Sequence, residues 1–219
     1  MLILAGSGLY VFHSFMSLPG KAGAQLAEIA AAFKQGTINS TFTSYAASVG
    51  GSQNFQFGHI TEHVVFTRKD EKSYGWGYVP MPDVIVEADA PVAFTYYLNL
   101  NDRWDFQLRD GSIYVIAPDI KYNKPAVDIS KVTYTVKKDS MLRNTSEAME
   151  HLRESITSMS FKKAEENIPL IRETGRKQTE TFVQNWLSKS FTDGHKYPVK
   201  VLFRAEARTN EFNTVVKPE

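Results

Sequence analysis

His59-Ile60-Thr61-Glu62-His63 is the stretch of this sequence that comes nearest to spelling a known chemistry. Its H-x-x-E-H spacing is that of inverted zinc peptidases, where two histidines hold the metal and the glutamate acts as base. That chemistry needs a helix, because residues four apart then share a face and both imidazoles reach one ion. On a strand, positions four apart also share a face, but they lie about 13 Å apart and cannot chelate together. Here the motif follows Gly58 and runs into Val64-Val65-Phe66-Thr67, a β-branched and aromatic run. The spacing therefore predicts two histidines on a half-exposed strand, with no metal ligand, catalytic residue or cofactor. The alternative is a zinc-dependent hydrolase using His59, Glu62 and His63, which would need a further ligand from a helix, such as Glu147 or Glu150.

Other chemistry is weaker still. Asp102, Asp105, Asp110, Asp119 and Asp128 fall near expected turns, where paired carboxylates could move protons or bind calcium. No D-x-[DN]-x-[DN]-G loop occurs, so turn chemistry explains them better. No G-x-S-x-G elbow is present, and Gly50-Gly51 and Gly75-x-Gly77 lack the partners of a phosphate loop. Zero cysteines exclude disulfides, thiol nucleophiles and Cys-based metal sites. A formal net charge of +1 argues against a nucleic-acid partner, which needs a basic face to neutralise phosphates. Trp76, Tyr78, Tyr96, Tyr97 and Trp104 could form an exposed aromatic platform, but alternation sends Tyr96 and Tyr97 to opposite faces. Core packing is their expected role.

The elements that must position these residues follow from hydrophobic period. Ile60, Glu62, Val64 and Phe66 face one way, and Thr61, His63, Val65 and Thr67 the other. A second strand runs through Asp83 to Leu98, and Pro91 predicts an edge position or a bulge there. Asp110-Gly111 between two alternating runs, 104–108 and 113–116, predicts a tight hairpin. Lys131 to Lys137 forms a further strand. The period then changes to 3.6: Asn144 caps, Glu147 closes a capping box, and an apolar stripe runs through Ala148, Leu152, Ile156 and Met159. Pro169 interrupts it, so two helices or one kinked helix fill residues 145–189. A last strand covers Val199 to Ala205. Strands, then helices, then one strand give an α+β class: a mostly antiparallel sheet covered by a long kinked helix or helix pair.

The first twenty residues carry no charge, and a mostly apolar stretch of about 18, interrupted by Ser7, His13, Ser14 and Ser17, approaches as a marginal span the ~20 needed to cross a bilayer. An N-terminal hydrophobic helix serving as a membrane anchor is expected there, with a signal segment cleaved near Ala22-Gly23-Ala24, or a buried core helix, as competing readings. The expected layout is thus 1–20 anchor or signal, 21–58 short helix and flexible linker, 59–208 globular α+β domain, and 209–219 tail. Residues 36–58 read as a linker because Ser, Thr, Gly, Asn and Gln dominate them. Charge divides along the chain: seven Lys and Arg against ten Asp and Glu in residues 1–110, then eighteen against fourteen in residues 111–219. The later excess falls on the helices, where a solvated face accounts for it.

The order of these pieces resembles the bacterial family called domain of unknown function 4230. The resembling segments are Glu62-His63-Val64-Val65-Phe66, Ala126 to Val132, Ala164-Glu165-Glu166-Asn167 and Tyr197 to Phe203, so the likeness covers roughly residues 60–205. The resemblance implies a domain tethered to a membrane, and it transfers no catalytic residues. Together these readings give a single-pass membrane protein with an extracytoplasmic body. It acts as a non-catalytic binding or scaffolding module for a protein or ligand partner not specified by the sequence, and self-association into a homo-oligomer is open. A secreted ligand-binding domain is the remaining alternative.

Overall fold

The computed structural model describes residues 28–50, 53–74 and 79–208. The expected anchor at 1–20, the tail at 209–219, and Trp76 and Tyr78 lie outside the described residues. Among the described residues, no helix is long and apolar enough to cross a membrane. The protein is α+β, with mostly antiparallel sheet and helices. It divides into two compact units. The first comprises the described residues within 1–55, 99–119 and 176–219; the second comprises those within 56–98 and 120–175.

The second unit is built on two long strands, β1 (Asn54–Asp70) and β4 (Val84–Asn99), separated in sequence by the two-residue β2 (Ser73–Tyr74) and β3 (Val79–Pro80). Alternation is strict. Val84, Val86, Ala88, Ala90, Val92, Phe94, Tyr96 and Leu98 are all 0% exposed, while their odd-numbered neighbours face outward. On one side β4 pairs with β1; on the other it pairs antiparallel with β7 (Lys121–Tyr122), β8 (Ala126–Val127) and β9 (Thr133–Lys138). The expectation that Pro91 marks an edge or a bulge is therefore corrected. Strand β4 is central, and its register irregularity falls at Ile85/Val86. Pro91 is tolerated because β8 pairs at Val92–Ala93 and β9 at Ile85–Asp89, so its missing N–H lies in the gap. Its carbonyl accepts from the Asp128 amide at 3.0 Å.

Helix α2 (Thr145–Glu166) buries Ala148, Leu152 and Ile156 of the expected stripe, continues it through Ser160 and Ala164, and leaves Met159 half-buried. The Asn144 side chain accepts from the Ser146 amide and caps the helix. Glu147 does not complete a capping box: its carboxylate accepts from Lys72 Nζ at 2.6 Å, and that ammonium holds it below the usual carboxylate range. The break before Pro169 is as expected. Helix α2 stops at Glu166, Asn167 forms the joint, and α3 (Ile168–Ser190) starts with Pro169 in its first turn, where a missing N–H costs nothing.

The first unit holds the hairpin β5 (Asp105–Arg109) and β6 (Ser112–Ala117). Asp110 and Gly111 both take positive φ, 47° and 71°, which is the tight-turn geometry that the Asp-Gly pair predicts. Strand β10 (Val199–Phe203) adds to β6 in parallel, making a separate three-stranded sheet in the order β10-β6-β5. The chain then turns into α4 (Arg204–Arg208), so the last strand ends at Phe203, two residues short of the expected Ala205. Gly194 precedes β10 at a point where a Cβ would lie 2.0 Å from the Leu187 carbonyl oxygen, so only glycine fits.

The linker reading of 36–58 is also corrected, because Ile38–Gly50 forms helix α1. Its Ser and Thr hydroxyls bond back to carbonyls one turn earlier: Ser40 and Thr41 to Thr37, Thr43 to Asn39, Ser48 to Tyr45. Ile38, Phe42 and Ala46, four apart, are buried. Phe42 lies 4.9 Å from Trp104, 4.9 Å from Phe106 and 5.1 Å from Trp186, at the centre of an aromatic core.

Candidate functional site

The histidine–glutamate motif lies entirely on β1, and strand alternation separates its members. His59, Thr61, His63 and Val65 face out; Ile60, Glu62, Val64, Phe66 and Arg68 face in. His59 contacts the Thr95 hydroxyl at 3.3 Å and the Thr61 hydroxyl at 3.0 Å. His63 faces the Asp89 carboxylate at 3.3 Å. Glu62 points to the opposite side, where its carboxylate accepts from Asn167 Nδ2 at 2.5 Å. The structure thus gathers none of the three around one point, and Glu147, the further ligand considered, is bonded to Lys72 instead. Among the described residues no group of three His, Asp or Glu side chains is placed to hold a metal ion. Of the turn aspartates, Asp128 accepts from the Ser130 amide and hydroxyl, and these bonds together with Lys131 lower its carboxyl pKa. Asp119 accepts from the Ala205 amide at 2.6 Å. Tyr96 and Trp104 are buried, as core packing predicts, and Tyr97 is half-buried.

What the structure does build is a groove along β1. This strand is an edge: β4 is its only sheet neighbour among the described residues. Helix α2 runs antiparallel beside it, since Glu62 meets Asn167 at one end and Lys72 meets Glu147 at the other. The lengths match: ten strand residues cover about 33 Å and twenty helical residues about 30 Å. Strand and helix therefore run side by side over this length, with the trough between them open at residues 64–66 and 159–166.

One end of the trough is fixed by Asn167. It is buried, ends α2, and engages Glu62 through its side chain. Beside it the Tyr96 hydroxyl donates to the Ala164 carbonyl at 3.0 Å. Burial pushes the Tyr96 phenol up to about 12, so it stays a donor. The other end is fixed by Asp70 and Arg143, whose ion pair is buried. Arg143 also donates to the Pro82 carbonyl at 3.1 Å. Between these ends lies a pocket of about 200 Å³ lined by Val64, Val65, Phe66, Met159, Lys162, Lys163 and Glu166.

One cation beside this pocket, Arg68, has a buried donor without a partner. Arg68 sits one inward position beyond Phe66, about 7 Å along the strand. Its Nε is buried without a hydrogen-bond partner. Neither its guanidinium nor the Lys163 ammonium, also half-buried, has an ion-pair partner among the described residues. Glu166 lines the pocket together with Lys162, from which it lies 4.0 Å, while Glu154 is exposed further along α2. Val65, at the middle of the edge, is 56% exposed. The sequence did carry a signal for Arg68, a charged residue at an inward position of an alternating strand; Lys163 and Met159 carried none, because only the packed helix brings them to the pocket.

No family model, curated protein or solved structure matches the chain.

Proposed function

We propose that this protein is a membrane-anchored, non-catalytic interaction module whose contact site is the β1–α2 groove. The observation that carries the reading is Arg68, whose buried Nε has no hydrogen-bond partner, beside a partly apolar pocket and a strand edge with no further strand on it among the described residues. A desolvated, unpaired charge is unfavourable in the free protein and is retained where a partner neutralises it. The scattered His59, Glu62 and His63 supply no nucleophile, base and acceptor around one reacting atom, which favours binding over hydrolysis. Anchoring rests on the uncharged apolar run of residues 1–20 and on the family resemblance; a tether confines the module to a surface and raises its local concentration there.

A photo-crosslinking residue placed at Val65 in the producing cell tests the contact site. A discrete adduct at position 65 that disappears in Phe66→Asp, with no adduct from Lys137 on the open sheet face, is the expected result. Equal labelling at both positions contradicts it. Deletion of residues 1–20 tests the anchor separately: the body should move from the membrane pellet to the supernatant, and retention in the pellet would remove the anchor from the account.

A further inference from the structure

Resting on that reading of the groove, we infer that its occupant is an extended acidic segment of a partner polypeptide, bound by strand addition to the edge of β1. Three features select this class. The edge offers an unpaired ladder of backbone donors and acceptors, and no side chain bonds to the backbone of residues 61–69 among the described residues. The pocket formed by Val64, Phe66 and Met159 takes one apolar side chain of medium size from the added strand. On the same inward face Arg68 follows about 7 Å further, two strand residues on, so an acidic residue two positions from the apolar one meets it. Lys162 and Lys163, on the helix wall, line the same pocket with Glu166, which lies 4.0 Å from Lys162, so Lys163 and Arg68 are the cations without an ion-pair partner among the described residues. The alternation inherent in an extended chain thus reads as apolar, skipped, acidic, with main-chain bonds supplying affinity and the pocket and cations supplying selectivity.

The test uses fluorescence anisotropy on the full chain with labelled nine-residue peptides. One alternates Val or Ile with Glu, and its counterpart carries Lys in place of Glu. The acidic peptide should bind at least tenfold more tightly, with the difference shrinking as salt is raised. Arg68→Glu should abolish or reverse the preference. Lys163→Glu, on the other wall, should reduce it several-fold and serves should Arg68→Glu disturb the strand. N-methylation of alternate amides in the acidic peptide separates strand addition from simple charge attraction. One phase of methylation should lose at least tenfold and the other should bind as the parent. Absence of binding, equal binding of both charge types, or equal effects of the two methylation phases each overturn the inference. A crosslink at Val65 without peptide binding would leave the groove as the contact site and remove only the acidic-strand assignment.

Discussion

Two arginines lie beside sheet edges in this molecule, and their surroundings differ in a telling way. Arg176 sits at the outer edge of β10. It donates to the Val201 carbonyl at 2.6 Å and to the Glu206 carboxylate at 2.8 Å, and lies 5.6 Å over the Phe203 ring. Glu206 accepts in turn from the Phe203 amide at 2.9 Å, and Glu180 from the Val201 amide at 3.4 Å. Side chains thus close that edge, the usual defence against unwanted strand pairing. Arg68, at the edge of β1, has neither acceptor nor counter-ion among the described residues, and none of their side chains bonds to the backbone of residues 61–69. One edge is closed by side chains of the chain itself, and the other has no such bonds among the described residues. Edge protection thus differs between β10 and β1, and on the proposed reading the β1 edge is the contact surface.

Four substitutions can break or sharpen this contrast, each measured by chemical denaturation of the purified protein. Arg143→Ala should have the largest effect. It leaves the buried Asp70 carboxylate uncompensated at the end of the groove, a loss of about 3–5 kcal/mol. Arg176→Ala should follow at about 2–3 kcal/mol, since it removes charge-assisted bonds to Val201 and Glu206, and it should also promote association by uncovering β10.

Tyr96→Phe should cost about 1 kcal/mol through the lost bond to Ala164. It should also change the alkaline limb of the stability curve. The phenol pKa is raised from 10.0 to about 12 in the folded chain, so the unfolded state releases its proton first. Stability is then whole below pH 10 and declines by up to roughly 1.4 kcal/mol per pH unit as pH rises towards the folded value. The Phe variant should lack that decline; an unchanged slope would assign it to other groups.

The smallest effect is expected for Arg68→Met, within about 0.5 kcal/mol of the parent or on the stabilising side, because it replaces an unpaired, partly buried charge with an apolar chain of similar length. A loss as large as that of Arg176→Ala would erase the difference between the two edges.

Most strands and helices were legible because their signals are local. Alternation from Val84 to Leu98, the Asp110-Gly111 turn, Asn144 as cap and the break before Pro169 each depend on near neighbours. Helix α1 escaped because its Ser and Thr residues suggest a loop; the Ile38, Phe42, Ala46 spacing was the signal to weigh against them. The parallel addition of β10 to β6 joins residues more than eighty positions apart, and no local pattern encodes it. The groove was hidden for the same reason. Alternation gives the inward face of β1, but only the antiparallel course of α2 places Met159 and Lys163 against it. The histidine–glutamate motif shows the converse, since its letters suggest a site that a strand period disperses.

Residue-resolved amide hydrogen exchange of the free protein compares the two edges most directly. The Val201 and Phe203 amides, both bonded to glutamate side chains, should be protected. Every second amide of β1 between Thr61 and Lys69 should exchange rapidly while its neighbours, bonded to β4, stay slow. Uniform protection along that stretch would mean the β1 edge is already covered, and would contradict the account.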